Sequence, residues 1–317
     1  MATIRAAFRQ FVAEPIVNRS PALFIWRACQ WIHDRTGGRW DDLILRGAKA
    51  LRPKASLPRS AFMDEDAIAH SVSALRKLGW NILPFRLPAS GVEEITRFAF
   101  STKAYAHSPT ERISICLEQV PNAHPRYEWR ISEILSLPTV QSLVADSALN
   151  RIAQEYIGCR PILTSVTLWL DTVYQGDFDA HVYHCDNDGP AFLKFFIYLT
   201  DVDESSGAHA FIQGSHSHIK PKRFQRSLRY DRNELLNHYG AENELVFAAP
   251  AGTILAEDTA GFHRGTTPAT KPRLLMQLQY AAFDIPHIEE FALGINKVKI
   301  TDVEPWVGKI AHKFIRR

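Results

Sequence analysis

Cysteine is scarce in this sequence of 317 residues, with four in all, at positions 29, 116, 159 and 185. No two form a Cys-x-x-Cys pair, so there is no disulfide framework, and the thiols suit a reducing, cytoplasmic setting. A strong charge excess is also missing: 37 Lys and Arg stand against 34 Asp and Glu, a net charge of +3. That balance argues against a chain built as a whole to bind nucleic acid. No apolar run is long enough to span a bilayer, and the N-terminus lacks the basic-then-apolar pattern of a secretory signal. There is no internal repeat, no low-complexity tract, no glycine-rich phosphate loop and no serine-hydrolase elbow.

What charge there is lies unevenly. Residues 1–60 carry eleven Lys or Arg and four Asp or Glu, so the remainder of the chain is slightly acidic. The ending "NKVKITDVEPWVGKIAHKFIRR" is basic again. Such ends can rest on anionic lipid or an acidic partner, or form a solvated basic face. We therefore expect a cytoplasmic protein, with peripheral contact at an anionic membrane surface as one use of residues 1–60. No obligate protein partner is evident. Within the first segment, "PALFIWRACQWI" is interrupted by Arg27 and reads as a helix packed on the body or at a membrane surface.

"LRPKASLPRS" (51–60), with two prolines, is the linker. It divides a basic extension, 1–60, from a single domain, 61–317. "DEDAIAHSVSALRKLG" (64–79) has acids in its first turn, helically spaced apolar residues and a glycine stop, which predicts a helix. "WNILPF" reads as a strand. "VEEITRFAFS" reads as a helix, and "LPTVQSLVADSALNRIAQEYIG" as helices broken near Asp146. After Gly158 the texture changes. "PILTSVTLWLD", "HVYHCD", "AFLKFFIYLT", "AHAFIQG", "ENELVFAAP", "GTILAED" and "RLLMQLQYAAF" are short, apolar or alternating, and bounded by turn residues. They predict a sandwich or barrel. Residues 219–240 interrupt the series as an inserted loop or helix. The expected class is α+β, mainly β, with a helical N-terminal half wrapped on a jelly roll.

"HCD" opens the apolar run of residues 191–200. Alternation in a strand turns His184 and Asp186 to one face and Cys185 to the other. With a third nitrogen ligand they would form the two-His-one-carboxylate arrangement of non-haem Fe(II) oxygenases. Alone, the pair reads more readily as a hydrogen-bonded strand end. Downstream, "AGTILAEDTAGFHRGTTPATKPRLLMQLQY" carries His263 between a strand and a turn, and Arg273 leads into another apolar strand. A buried arginine needs an anionic partner. The far carboxylate of 2-oxoglutarate would be one, held as a bidentate pair.

Through "HCD", "FIYLTDVDESSGAHAFIQGSH" and "GFHRGTTPATKPRLLMQLQY" the chain resembles the phytanoyl-CoA dioxygenase family of Fe(II)/2-oxoglutarate-dependent oxygenases. The likeness covers roughly 162–283, and more loosely "SVSALRKLGWNILPF". It implies a double-stranded β-helix, a jelly-roll or cupin-like core, with N-terminal helices packed around it. It implies that His184, Asp186 and His263 bind Fe(II), and that Arg273 pairs with the distal carboxylate of 2-oxoglutarate. The reaction it implies consumes O2 and 2-oxoglutarate, releases succinate and CO2, and hydroxylates a small-molecule substrate.

Other residues stay open. Lys194 lies on one strand face with Phe196 and Tyr198. It either assists Arg273, meets an anionic substrate, or snorkels to the strand edge. Gln277 shares Arg273's face and lines the co-substrate pocket or the core; Thr253 and Thr266 are weaker candidates. His181, His209, His216 and His218 are rival metal ligands. The expected lid, 217–240, carries Lys220, Lys222, Arg223, Arg226, Arg229 and Arg232. Arg223, Arg226 and Arg229 would read an anionic, lipid- or sugar-linked metabolite. Two other readings remain, a cupin-type metal enzyme that does not use 2-oxoglutarate and a catalytically silent binding protein.

Overall fold

A computed structural model of the chain describes residues 21–106, 112–113, 115, 120, 122–176, 178–217, 219–221, 223–224, 228–283, 298–299 and 315–316. Helices α1 (Pro21–Thr36) and α2 (Asp41–Leu51) come first. The linker then runs without regular structure but is tied to the body, because Gln154 exchanges two hydrogen bonds with the backbone of Ala55. Helix α3 (Glu65–Leu78) follows the sequence signals closely. The Asp64 carboxylate accepts from the Ala67 amide at 2.8 Å, and Gly79 ends the helix at a φ of 87°. Ile68, Val72 and Leu75 recur on its buried face.

Strand β1 (Trp80–Arg86) and helix α4 (Ala89–Ser101) come next, then β2 (Ala104–Ala106), β3 (Arg112–Ile113) and β4 (Arg126–Glu128). Helices α5 (Ile131–Ile134), α6 (Pro138–Ala145) and α7 (Ser147–Ile157) complete the N-terminal half. The break falls at Asp146, as expected. Its backbone is extended, and its side chain caps α7 by accepting from the Ala148 amide at 2.7 Å.

The C-terminal half supplies β5 (Ile162–Asp171), β6 (Phe192–Tyr198), β7 (His209–Ile212), helix α8 (Arg232–Tyr239), β8 (Glu244–Phe247), β9 (Thr253–Glu257), β10 (His263–Gly265) and β11 (Arg273–Ala281). Two antiparallel sheets result, so the fold is mixed helix and sheet, mainly sheet. The larger has the order β1-β9-β6-β11-β5-β4-β2-β3 and the smaller β10-β7-β8. Alternation divides the faces of the larger sheet. Leu168, Leu170, Phe195, Ile197, Met276 and Leu278 pack under the helices in the main core. Trp169, Phe196, Tyr198, Leu255 and Leu275 face Phe211 and Phe247 of the smaller sheet. A sheet clothed on one side by helices and on the other by a second sheet buries both faces.

Two expectations need correction. The N-terminal half is not purely helical: besides the expected strand β1 it supplies β2–β4 beside the central strands. β2–β4 hold two or three residues each, too few for alternation to show, and pairing against β5 creates them. Nor is "HVYHCD" a strand. A 3-10 turn, Asp179–His181, leads into two single bridges, Tyr183 with Tyr230 and His184 with His263. The Asp186 amide donates to Thr259 O instead of continuing a ladder.

Asp146 carries both the α7 cap and the Ser60 hydroxyl of the linker. Asp146→Ala is expected to destabilise the fold by about 1–2 kcal/mol. Urea unfolding checks this, and an unchanged midpoint would contradict the capping role.

Candidate metal centre

His184 reaches its position through the bridge to His263: the two residues exchange backbone hydrogen bonds of 2.9 and 3.1 Å. Their imidazoles therefore sit side by side, ring centres 4.4 Å apart. In each ring Nδ1 faces a carbonyl oxygen, Val182 O at 2.8 Å for His184 and Gly261 O at 3.0 Å for His263. A carbonyl can only accept, so Nδ1 carries the proton and Nε2 keeps its lone pair. Both Nε2 atoms point at Asp186, 3.8 Å from Oδ1 for His184 and 3.4 Å from Oδ2 for His263. Burial, acting against the pull of Asp186, holds both imidazoles below their ordinary value, His263 furthest. Two neutral imidazoles with fixed tautomers and one carboxylate thus converge, their ligand atoms within 4.8 Å of one another. Among the described residues this is the group with metal-ligand geometry. The donor set fits a divalent transition ion with positions left open on one side.

Lys194 lies where the sequence left it open, and its partner is the metal-site carboxylate. Its Nζ donates to Asp186 Oδ2 at 2.6 Å and lies 3.2 Å from Asp188 Oδ2. Burial works to lower the ammonium's pKa, but the two carboxylates overcome it and hold the group charged. Burial likewise works to raise Asp186, and Lys194 outweighs it, so the carboxyl stays ionised. Asp188, which also accepts from Gln279, was not singled out in the sequence although it stands two residues beyond Asp186 in "DND".

The rival histidines are otherwise engaged. His209 Nε2 lies 3.0 Å from Glu257 Oε1, and its ring stacks 5.5 Å from His263. Burial, then Arg273, lowers His209 to about 3, while burial beside Asp186 and Asp258 raises Glu257 well above the carboxylate range. The pair is a neutral hydrogen-bonded one. His216 Nε2 faces Arg76 O, and His181 Nδ1 faces the Thr267 hydroxyl. His218 lies outside the described residues.

Arg273 is buried at the start of β11 in a slot between two glycines. Its Nη1 donates to Gly207 O, and a Cβ on Gly265 would stand 2.9 Å from Nη2. Its anionic partner is Asp171 of this chain, at 2.5 Å. Arg126 of β4 holds the other oxygen of Asp171 at 2.7 Å. Neither Asp171 nor Arg126 was foreseen, although the alternation that turns Arg273 inward does the same for Asp171. Gln277, Thr167 and Thr253 share this interior face. The Thr167 and Thr253 hydroxyls and Arg273 Nε are buried without a hydrogen-bond partner among the described residues. Thr266 donates its hydroxyl to Ala208 O.

The expected basic lid is less available than its sequence suggests. Lys220 is buried, donating to the carbonyls of Ser215 and Ala260 beneath the Phe262 ring, and Arg232 pairs with Glu244. Arg223 stacks on Phe224, 4.7 Å from its ring centre. Lys222 and Arg226 lie outside the described residues. Arg229 is exposed and near enough to His184 to act on its pKa.

No family model matches the sequence, and no curated protein matches it. Solved structures do. The epimerase SnoN, in complex with Fe3+, alpha ketoglutarate and nogalamycin RO, is 16% identical at a TM-score of 0.50, over 76% of this chain and 94% of that one. The carbocyclase SnoK from nogalamycin biosynthesis is also 16% identical, at 0.49, over 71% and 87%. HygX from Streptomyces hygroscopicus, with nickel, 2-oxoglutarate and hygromycin B bound, is 16% identical at 0.44, over 67% and 86%. At this identity the likeness to SnoN speaks for the fold alone.

If Lys194 is the counter-charge of Asp186, Lys194→Met should destabilise the metal-free protein by ~3–5 kcal/mol. Mn(II) should restore part of the loss, because an ion on Asp186 replaces the ammonium and stabilises the folded state by mass action. Unfolding with and without Mn(II) measures both. A metal-free variant as stable as the parent would contradict this role.

Proposed function

We propose that the chain is an Fe(II)/2-oxoglutarate-dependent oxygenase of the phytanoyl-CoA dioxygenase type, acting on a small, anionic metabolite. The observation that carries it is the convergence of His184, Asp186 and His263, with both imidazoles in the metal-binding tautomer. In this reading these three residues would hold the ion and leave its remaining positions to the co-substrate and O2. The interior face between the sheets is the co-substrate pocket of a double-stranded β-helix, with Arg273 and Gln277 on its wall. Bound there, Fe(II) with 2-oxoglutarate and O2 would supply oxidative decarboxylation to succinate and CO2 coupled to oxidation of a C–H bond.

The protein's own part is positioning and exclusion of water. The carbonyls of Val182 and Gly261 fix the imidazoles, and Lys194 fixes Asp186. The aromatic wall of Phe196, Phe211 and Phe247 keeps the inner end dry. The domain in this reading is 61–317, with 1–60 as an extension whose helix α1 reaches the site: Gln30 Nε2 donates to Asn187 O at 2.7 Å. Arg229, whose charge acts on His184, supports an anionic substrate. Arg273 favours this reading over a cupin-type enzyme that does not use 2-oxoglutarate, because one buried guanidinium, Arg273, and one half-buried, Arg126, meet a single carboxylate.

Purified protein should form succinate from 2-oxoglutarate with Fe(II), and each of His184→Ala, Asp186→Ala and His263→Ala should reduce the rate at least a hundredfold while remaining folded. Full turnover in His263→Ala would sink the assignment.

A further inference from the structure

The guanidinium assigned to the co-substrate already faces a carboxylate of this chain. Asp171 ends β5 directly opposite Arg273 in the β5–β11 register. Strand alternation puts it on the same face as Trp169 and Thr167, so it stands in the space between the two sheets. Its Oδ2 accepts from Arg273 at 2.5 Å and from Trp169 Nε1 at 3.1 Å, and its Oδ1 accepts from Arg126 Nε at 2.7 Å. Arg126 is itself held over the Trp169 and Phe178 rings, 4.6 and 5.0 Å from their centres. Asp171 is therefore anchored from two directions besides Arg273, and giving up Arg273 would leave it hydrogen-bonded.

The charge balance invites a second anion. Two guanidiniums meet one carboxylate, and Arg273 Nε is buried without a partner. Nearby His181 adds no positive charge: burial and then the repulsion of Arg126 and Arg273 hold it at about 4 despite the pull of Asp171. An incoming carboxylate is attracted by the net charge, yet it must share or take Arg273.

We propose that Asp171 is a tethered competitor for Arg273 and sets the site's selectivity for 2-oxo diacids. This rests on the function proposed above. The distal carboxylate of 2-oxoglutarate then gains only the difference between two carboxylates on one guanidinium. It does not gain the whole strength of a charge-assisted pair formed with an idle arginine. The chain should accordingly distinguish 2-oxoglutarate only weakly from 2-oxopentanoate, which has the same carbon skeleton without the distal charge.

Calorimetric titration of both 2-oxo acids into the full chain loaded with Mn(II), without oxygen, tests this. For the parent chain the two affinities should lie within about tenfold of each other, less than ~1.4 kcal/mol. Asp171→Asn keeps an acceptor toward Arg126 and removes the charge. It should tighten 2-oxoglutarate by about tenfold and leave 2-oxopentanoate where it was. A larger parent preference for 2-oxoglutarate would overturn the proposal, and so would a folded Asp171→Asn protein that binds it no better. The parent comparison decides even if the variant fails to fold. Uptake of neither acid by Mn(II)-loaded protein would remove the co-substrate reading and this inference with it.

Discussion

The site depends on one half-buried negative charge, the carboxylate of Asp186. Largely shielded from water, it must be met by positive charge or by hydrogen-bond donors. Lys194 meets it from β6, and the two imidazoles of His184 and His263 offer lone pairs on its other flank. Lone pairs facing a carboxylate are unfavourable until a cation stands between them. Metal-free, the site therefore holds opposed acceptors, and a divalent ion resolves the opposition. The Asp186–Lys194 pair fixes one side of this arrangement, and the His184–His263 bridge fixes the other.

The rest of the interior follows a related rule, that ionisable groups are partnered. The larger sheet turns apolar residues toward the helices and a mixed face toward the smaller sheet. On that mixed face ionisable groups occur in partnered sets: Lys194 with Asp186 and Asp188, Glu257 with His209, Asp171 with Arg126 and Arg273. The Glu257–His209 pair crosses between the sheets, whereas the Asp171 set is completed between neighbouring strands of the larger sheet. Phe196, Phe211 and Phe247 lie between the two sheets and keep the dielectric low, which strengthens each pair and penalises any broken one.

How much of this could be read from the sequence depended on range. Capping residues, a glycine stop and helical periodicity are local signals, and they place α3, the α6–α7 break and the long central strands. The His-x-Asp motif and the distal His263 could be recognised as chemistry. Their convergence was implied only by the family resemblance, because it is made by one backbone bridge between residues far apart in the chain. Lys194 stayed ambiguous because its partner is decided by the loop through Asp188. The orientation of Arg273 was legible from alternation, whereas its pairing with Asp171 required the β5–β11 register. The lid misled in the other direction: a run of basic residues suggests free charge, yet Lys220 is buried on carbonyl oxygens and Arg232 is committed to Glu244.

The central claim is that Asp186, His184 and His263 form one ion-binding centre. A crystal structure of the protein soaked with Co(II), with anomalous diffraction at the cobalt edge, tests it most directly. The account predicts a single ion in contact with Nε2 of both histidines and a carboxylate oxygen of Asp186, with Lys194 retained on the other oxygen. An ion bound instead between His209 and Glu257, or no ion at this centre, would contradict it.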